Sequence, residues 1–198
     1  MTQGSIVALV TPMFTSGEID WGSLEALVDW HVSSGTVGIV PVGTTGESPT
    51  VSPEENCEVI RFVVEKTKGR MTVIAGTGAN STAEAIEFTA SAKESGADAC
   101  LLVTPYYNKP TQEGLYQHYK SINDNVGIPI IIYNIPSRSV IDMTVDTMAR
   151  LYELKNIKGV KDATGDLNRV TMQLNKMGKD FIQLTGEDDN ALEFNKRG

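Results

Sequence analysis

The sequence predicts an α/β protein built on a parallel sheet, and three observations carry that prediction. Short apolar runs rich in Val and Ile recur along the chain. Most of them are apolar on both faces rather than alternating, which is the pattern of strands covered by a layer on either side. Segments of helical period with recognisable starts separate them, and no shift in composition divides the series, so the 198 residues read as one domain.

The strand-like runs are Ser5–Thr11, Gly38–Thr44, Met71–Gly76, Ala97–Thr104, Ile128–Tyr133, Ile157–Lys161 and Phe181–Thr185. After the first, Asp20 precedes a helix that sets Leu24, Leu27, Val28 and His31 on one face. After the second, Ser52-Pro53-Glu54-Glu55 offers a capping serine, a proline at the first helical position and a glutamate at the third. Ser81-Thr82-Ala83-Glu84 repeats that box after the third run. Thr111 and Thr144 open the helices after the fourth and fifth runs, and a last helix spans Asp189–Lys196. Gly35, Gly69, Gly96 and Gly178 stand where helices stop, as left-handed caps do. Doubly wound sheets and closed barrels both fit seven such strand-helix units.

Bulk properties narrow the function. The formal charge of −8 argues against binding a phosphate backbone, which needs clustered Lys and Arg, and no basic run suggests a nucleic-acid or membrane patch. Cys57 and Cys100 are far apart and belong to no Cys/His cluster, so neither zinc nor a disulfide framework is expected. Met1-Thr2-Gln3-Gly4 leads straight into the first run without a basic and apolar leader, and no apolar stretch reaches the roughly 18 residues of a membrane span. A cytoplasmic location is the expectation.

In parallel α/β folds reactive residues collect at the C-terminal ends of strands. Those ends read Thr11-Pro12, Gly43-Thr44-Thr45-Gly46-Glu47, Gly76-Thr77-Gly78, Thr104-Pro105-Tyr106-Tyr107-Asn108, Tyr133-Asn134-Ile135-Pro136-Ser137-Arg138, Lys161-Asp162-Ala163-Thr164-Gly165 and Thr185-Gly186-Glu187. Hydroxyls, tyrosines and one lysine therefore share a rim. By strand alternation Lys161 shares a face with Ile157 and Gly159, while Lys158 and Val160 point the other way. In a barrel Lys161 would project inward, with small Gly159 leaving room beneath it. Burial there would disfavour the ammonium form, and a neutral amine attacks ketones to form a Schiff base. The competing reading is a lysine that reaches solvent or pairs with Glu47 or Asp162.

Carbinolamine chemistry needs a proton relay. Tyr133 ends the preceding strand on the same face as Ile131, and Thr44 and Tyr107 could link its phenol to solvent. The Gly-flanked turn Gly43-Thr44-Thr45-Gly46 suits a small carboxylate. Neither a phosphate loop nor the full dinucleotide spacing is present, so a nucleotide cofactor is not expected.

Four stretches, Gly43-Thr44-Thr45-Gly46-Glu47, Thr104-Pro105-Tyr106-Tyr107-Asn108, Tyr133-Asn134-Ile135-Pro136-Ser137-Arg138 and Gly159-Val160-Lys161-Asp162-Ala163-Thr164-Gly165, resemble the dihydrodipicolinate synthase family of the N-acetylneuraminate lyase superfamily. The likeness begins at Gly4-Ser5-Ile6 and covers nearly the whole chain. It implies a (β/α)8 TIM barrel, which takes about 250 residues, present here as about seven βα units without the family's eighth strand and helix or its small C-terminal helical domain. It implies that Lys161 condenses with pyruvate, that the enamine attacks L-aspartate 4-semialdehyde, and that cyclisation gives 4-hydroxy-tetrahydrodipicolinate. By the same resemblance Tyr133, Thr44 and Tyr107 are relay residues, with Tyr107 supplied across a dimer interface, so a homodimer or homotetramer is expected. Thr45 and Gly186 are expected at the substrate, and Arg138 would clamp the second carboxylate bidentately. That arginine separates this reading from a related 2-keto-acid aldolase of the superfamily; a catalytically inactive fragment is the third reading. The resemblance further implies a lysine-binding cleft at Gly78, Asn80, Glu84 and Tyr106. Pro49, Pro53 and Asn56 stand where lysine-sensitive members often carry other residues, so weak or absent lysine inhibition is expected. No metal or organic cofactor is called for, since the Schiff base is the electron sink.

Overall fold

The computed structural model describes residues 4–198, so the reading of Met1–Gln3 lies outside the described residues. The chain groups into two compact units, Met1–Thr77 with Phe88–Leu101, and Gly78–Glu87 with Leu102–Gly198.

The first unit holds β1 (Ile6–Ala8), α1 (Trp21–Ser33), β2 (Gly38–Val40), α2 (Pro53–Thr67), β3 (Thr72–Gly76), the C-terminal half of α3 (Thr82–Glu94) and the start of β4 (Ala99–Val103). Its strands pair in parallel and in chain order, with Ile6 opposite Gly38, Gly38 opposite Thr72 and Ile74 opposite Ala99. Two local signals fix its helices. The Asp20 side chain accepts from the Ser23 N–H at the start of α1, and Ser52 and Glu55 form the reciprocal capping box of α2. Leu24 and Val28 of α1, and Val59, Ile60 and Val63 of α2, are fully buried at the helical spacing, and Ile39, Val73 and Ile74 are buried with them. Leu27 and His31 complete the expected face of α1 only as half-buried residues.

The second unit holds the start of α3 and the end of β4, followed by α4 (Gln112–Asn125), β5 (Ile130–Asn134), α5 (Pro136–Ser139), α6 (Val145–Tyr152), β6 (Ile157–Asp162), α7 (Asn168–Met177), β7 (Ile182–Thr185) and α8 (Ala191–Arg197). Every residue of β5 is buried, as expected for a strand covered on both faces. Thr111 and Thr144 cap α4 and α6 through their side chains, each accepting an N–H three residues on. Tyr119 of α4 is fully buried and donates its hydroxyl to the Leu102 carbonyl of β4 at 2.7 Å.

All seven expected strands are present, shortened at most ends, and Gly35, Gly69, Gly96 and Gly178 all take positive φ. Two elements were not foreseen. The short helix α5 starts at Pro136, whose fixed φ suits a first helical residue, and a 3-10 turn over Asp188–Asn190 leads into α8. The register also slips within β6. Ile130 faces Ile157 but Ile131 faces Gly159, so Lys158 is an extra, exposed residue whose amine donates to the Lys155 carbonyl. Parity counted from Ile157 therefore does not pass through Lys158, and the alternation that aims Lys161 begins at Gly159.

Candidate active site

Parallel pairing places Tyr133 of β5 directly opposite Lys161 of β6, and Lys161 opposite Leu184 of β7. Neighbouring strand residues in register share a face. Accordingly the Lys161 amine lies 4.5 Å from the centroid of the Tyr133 ring. Asp162, the next residue, points the other way and binds Arg169 and Gln173 of α7 at 2.9 Å each. Asp162 is thus committed to Arg169, and it is not the partner of Lys161.

The electrostatics of Lys161 follow from this setting. Burial pushes its pKa below the ordinary lysine value, and the carboxylates of Asp188 and Glu187, just after β7, oppose that shift. The amine is therefore more easily neutral than a surface lysine. The sequence marks Glu187 only as part of the rim stretch Thr185-Gly186-Glu187, and it does not single out Asp188. Gly186 stands beside the lysine stem: a Cβ there would lie 3.3 Å from Lys161 Cε and 2.7 Å from Ala163 Cβ. A side chain there would strike Ala163, and the lysine stem would have to shift by a few tenths of an ångström.

Arg138 lies in α5 and is exposed; its guanidinium makes no hydrogen bond or ion pair among the described residues. Five donors thus remain open to a ligand carboxylate. Tyr107 is 89% exposed at a left-handed φ of 70°, and its hydroxyl makes no hydrogen bond among the described residues. Within this chain it is not brought to Lys161. The cleft residues Asn80 and Tyr106 do meet: the Asn80 amide donates to the Tyr106 carbonyl at 3.3 Å, and the Asn108 amide returns a bond to the Asn80 carbonyl at 2.9 Å. Glu84 sits in the first turn of α3 with its N–H on the Ser81 hydroxyl, and Gly78 packs its α-carbon against the Val103 backbone.

In the first unit Thr44 and Thr45 are both exposed on the turn after β2, where the Glu47 N–H donates to the Thr44 carbonyl at 3.1 Å. Neither threonine hydroxyl is engaged among the described residues. The turn is held from below by Thr11, whose hydroxyl donates to the Gly46 carbonyl at 2.7 Å.

Backbone strain collects in the same loops. Among the described residues six other than glycine have positive φ, and five of them, Val42, Glu47, Tyr107, Lys109 and Val140, follow β2, β4 or β5; the sixth, Lys68, is the C-cap of α2. Left-handed backbone is uncommon outside glycine and is a genuine outlier for a β-branched residue. Such positions persist where the surroundings over-determine them, typically at functional sites.

The sequence profile of the Dihydrodipicolinate synthetase family matches residues 1–198. The chain belongs to that family. It is 66% identical over 198 residues to the 4-hydroxy-tetrahydrodipicolinate synthase of Pelagibacter ubique, covering all of this chain and 67% of that relative. Among solved structures, dihydrodipicolinate synthase from Aquifex aeolicus superposes on the whole chain and 67% of its own length, with a TM-score of 0.97 at 50% identity. The chloride-inhibited enzyme from Acinetobacter baumannii, solved with pyruvate, superposes on 97% of this chain and 66% of its own length, with a TM-score of 0.95 at 55% identity. The chain thus spans about two thirds of the length of these family members. Its fold is that of their (β/α)8 barrel, of which the described residues supply seven strand-helix units.

Proposed function

We propose that this chain carries the chemistry of 4-hydroxy-tetrahydrodipicolinate synthesis, a Schiff-base lyase reaction that joins pyruvate to L-aspartate 4-semialdehyde. The observation that carries it is the lysine–tyrosine pair: an amine whose charge is disfavoured by burial, 4.5 Å from a phenol ring across two paired strands.

In this reading neutral Lys161 adds to the pyruvate ketone, and the carbinolamine loses water to give an imine. Removal of a methyl proton gives the enamine, whose carbon attacks the aldehyde of the semialdehyde. The semialdehyde's amine then attacks the imine carbon, closing the ring and releasing Lys161. Tyr133 serves as the proton shuttle at the carbinolamine, with Thr44 and Tyr107 extending the relay. Thr45 and Gly186 adjoin the pyruvate, and Arg138 binds the carboxylate of the semialdehyde through its two-pronged fork. Tyr107, turned to solvent in its own chain, is contributed by a second copy, so the working form is a homodimer or a larger homo-oligomer. Lys161 is the electron sink, and the reading calls for no metal or organic cofactor.

Gly78, Asn80, Glu84 and Tyr106 form, on the same proposal, a lysine-binding surface at which inhibition is weak or absent; half-maximal inhibition at sub-millimolar lysine would contradict it. Among the described residues no helix is long and apolar enough to cross a membrane, and we place the reaction in the cytoplasm.

The deciding experiment is incubation with pyruvate, reduction with borohydride and peptide mass spectrometry. An adduct on Lys161 that disappears in Lys161→Ala supports the proposal. A folded sample with no adduct refutes it.

A further inference from the structure

Tyr133 and Lys161 form one rung of the β5–β6 ladder, and Asn134 and Asp162 form the next. Alternation sends the second rung to the opposite face, towards α7. There a continuous polar network is assembled. The Asn134 side-chain amide donates through Nδ2 to Asp142 Oδ1 at 2.7 Å, and its Oδ1 accepts the Met143 N–H at 3.0 Å. Arg169 joins this half to the other. Its Nε donates to Asp162 Oδ2 at 2.9 Å, one terminal nitrogen to Asp142 Oδ2 at 3.2 Å and the other to the Met143 carbonyl at 2.7 Å. The Arg169 side chain is only 11% exposed and that of Asp162 only 4%, so the bond between them forms largely out of water, whereas the Asp142 side chain is 48% exposed.

We propose that Arg169 is a positioning residue for imine formation. Acting from the face opposite the reactive groups, it ties the end of β6 to the segment that follows α5 and, through Asp142, to the end of β5. This deepens the function proposed above and rests on it. The residues that Arg169 holds are immediate neighbours of the reactive ones: Asp162 follows Lys161, and Asn134, reached through Asp142, follows Tyr133. Any slip of either strand end changes the separation of amine and phenol. Asp162 is also held by Gln173 and by the N–H and hydroxyl of Thr164, so anchoring of β6 alone does not require an arginine. Among the described side chains Arg169 alone binds Asp162, Asp142 and the Met143 carbonyl together, adding a side-chain tie to the Ala163 N–H bond that the ladder makes to the Asn134 backbone carbonyl. Three acceptors in three directions need a planar fork, which the single point charge of a lysine cannot supply.

The test is the rate of borohydride-trapped pyruvate adduct as a function of pyruvate concentration, with thermal melting as the control for folding. Arg169→Lys keeps the charge beside Asp162 and loses the fork. Its maximal trapping rate should fall by about tenfold to a hundredfold, the range for small misplacements of reacting groups. The half-saturating pyruvate concentration should stay within about twofold, because the arginine does not touch pyruvate. The double variant Arg169→Met with Asp162→Asn removes the unpaired buried charge, and it answers the question if the single variant fails to fold. It should melt near the parent chain and still trap slowly. A folded Arg169→Lys that traps at the parent rate overturns the proposal, and so does a double variant whose trapping rate recovers with its stability. If the parent chain itself forms no adduct, the function proposed above falls and this inference falls with it. An adduct in the parent with unchanged variants overturns this inference alone.

Discussion

Replacing Gly159 by alanine puts a methyl group where β6 meets β7. An ideal Cβ at Gly159 would lie 2.6 Å from Ile182 Cβ, 2.8 Å from the Ile182 carbonyl carbon and closer still to the carbonyl oxygen. Real Cβ atoms essentially never come within 3.0 Å of such neighbours, so something must move. The obstacle is the backbone of the paired strand, with Gly159 opposite Ile182 in the ladder, and no side-chain rotation relieves it. Overpacking of this kind costs about 1–3 kcal/mol, and contact with backbone puts the substitution near the upper figure. For a chain of this size that is a fall in Tm of roughly 6–12 °C. Lys161 lies two residues further along the same strand, so the pyruvate adduct should form more slowly in whatever fraction remains folded. Gly22→Ala is the matched control: its Cβ would meet only Asp20 Oδ1, at an ordinary 3.5 Å, and alanine in a helix gains about 0.5–1 kcal/mol over glycine. Thermal melts of the two variants beside the parent decide the matter. A Gly159→Ala chain melting within 1 °C of the parent, a margin of roughly half a kcal/mol or less, refutes the reasoning.

Three further predictions follow from titration and capping. His118 is buried, its Nδ1 lies 2.9 Å from the Thr82 hydroxyl, its Nε2 has no partner among the described residues, and burial pushes its pKa down to about 4. Because the unfolded chain takes up this proton first, its contribution to stability is complete above pH 6.5 and is lost as pH falls towards 4. In denaturant titrations the stability difference between parent and His118→Leu should therefore shift in favour of the variant on acidification, by up to roughly 3 kcal/mol. Ser52→Ala removes the hydroxyl that accepts the Glu55 N–H at 3.2 Å and should cost about 1 kcal/mol, seen as a lower midpoint in the same titrations. For Lys161, protonation abolishes nucleophilicity, so the trapping rate should fall as pH drops through its lowered pKa. Asp188 raises that pKa, and Asp188→Asn should move the acidic limb to lower pH; an unmoved limb removes Asp188 from the lysine's field.

The strand-helix order was legible because the signals are local. Capping at Asp20, Ser52, Thr111 and Thr144 needs only four consecutive residues, and each of the four forms the bond its spacing implies. The bulge at Lys158 was not legible. A register slip depends on how Ile130 and Ile131 meet the neighbouring strand, and nothing within Ile157-Lys158-Gly159-Val160-Lys161 marks it. The expected shared face of Ile157 and Lys161 does not hold, because Ile157 pairs with Ile130 and Gly159 with Ile131; Lys161 shares its face with Gly159 and with Tyr133 across the ladder. The role assigned to Gly159 needs the same correction. Its small size serves the close approach of β7, whose backbone a Cβ would strike, rather than a space beneath the amine.

The site was half visible for a related reason. Lys161, Tyr133 and Arg138 announce themselves by residue type at strand ends, where apolar surroundings make a lysine or a phenol conspicuous. Asp162 and Asn134 are as close to the chemistry in sequence, yet they carry no such mark, because an acid or an amide after a strand is ordinary loop composition. Their meaning comes from the face they turn to. Alternation delivers one member of each pair to the rim and the other to the helix layer, and the network through Arg169 and Asp142 closes only when two strands, a loop and α7 are assembled. On the proposed reading one rung carries the reactive groups and the next ties the strand ends, so a substitution on the far face of the sheet is expected to slow a reaction whose substrate it never meets.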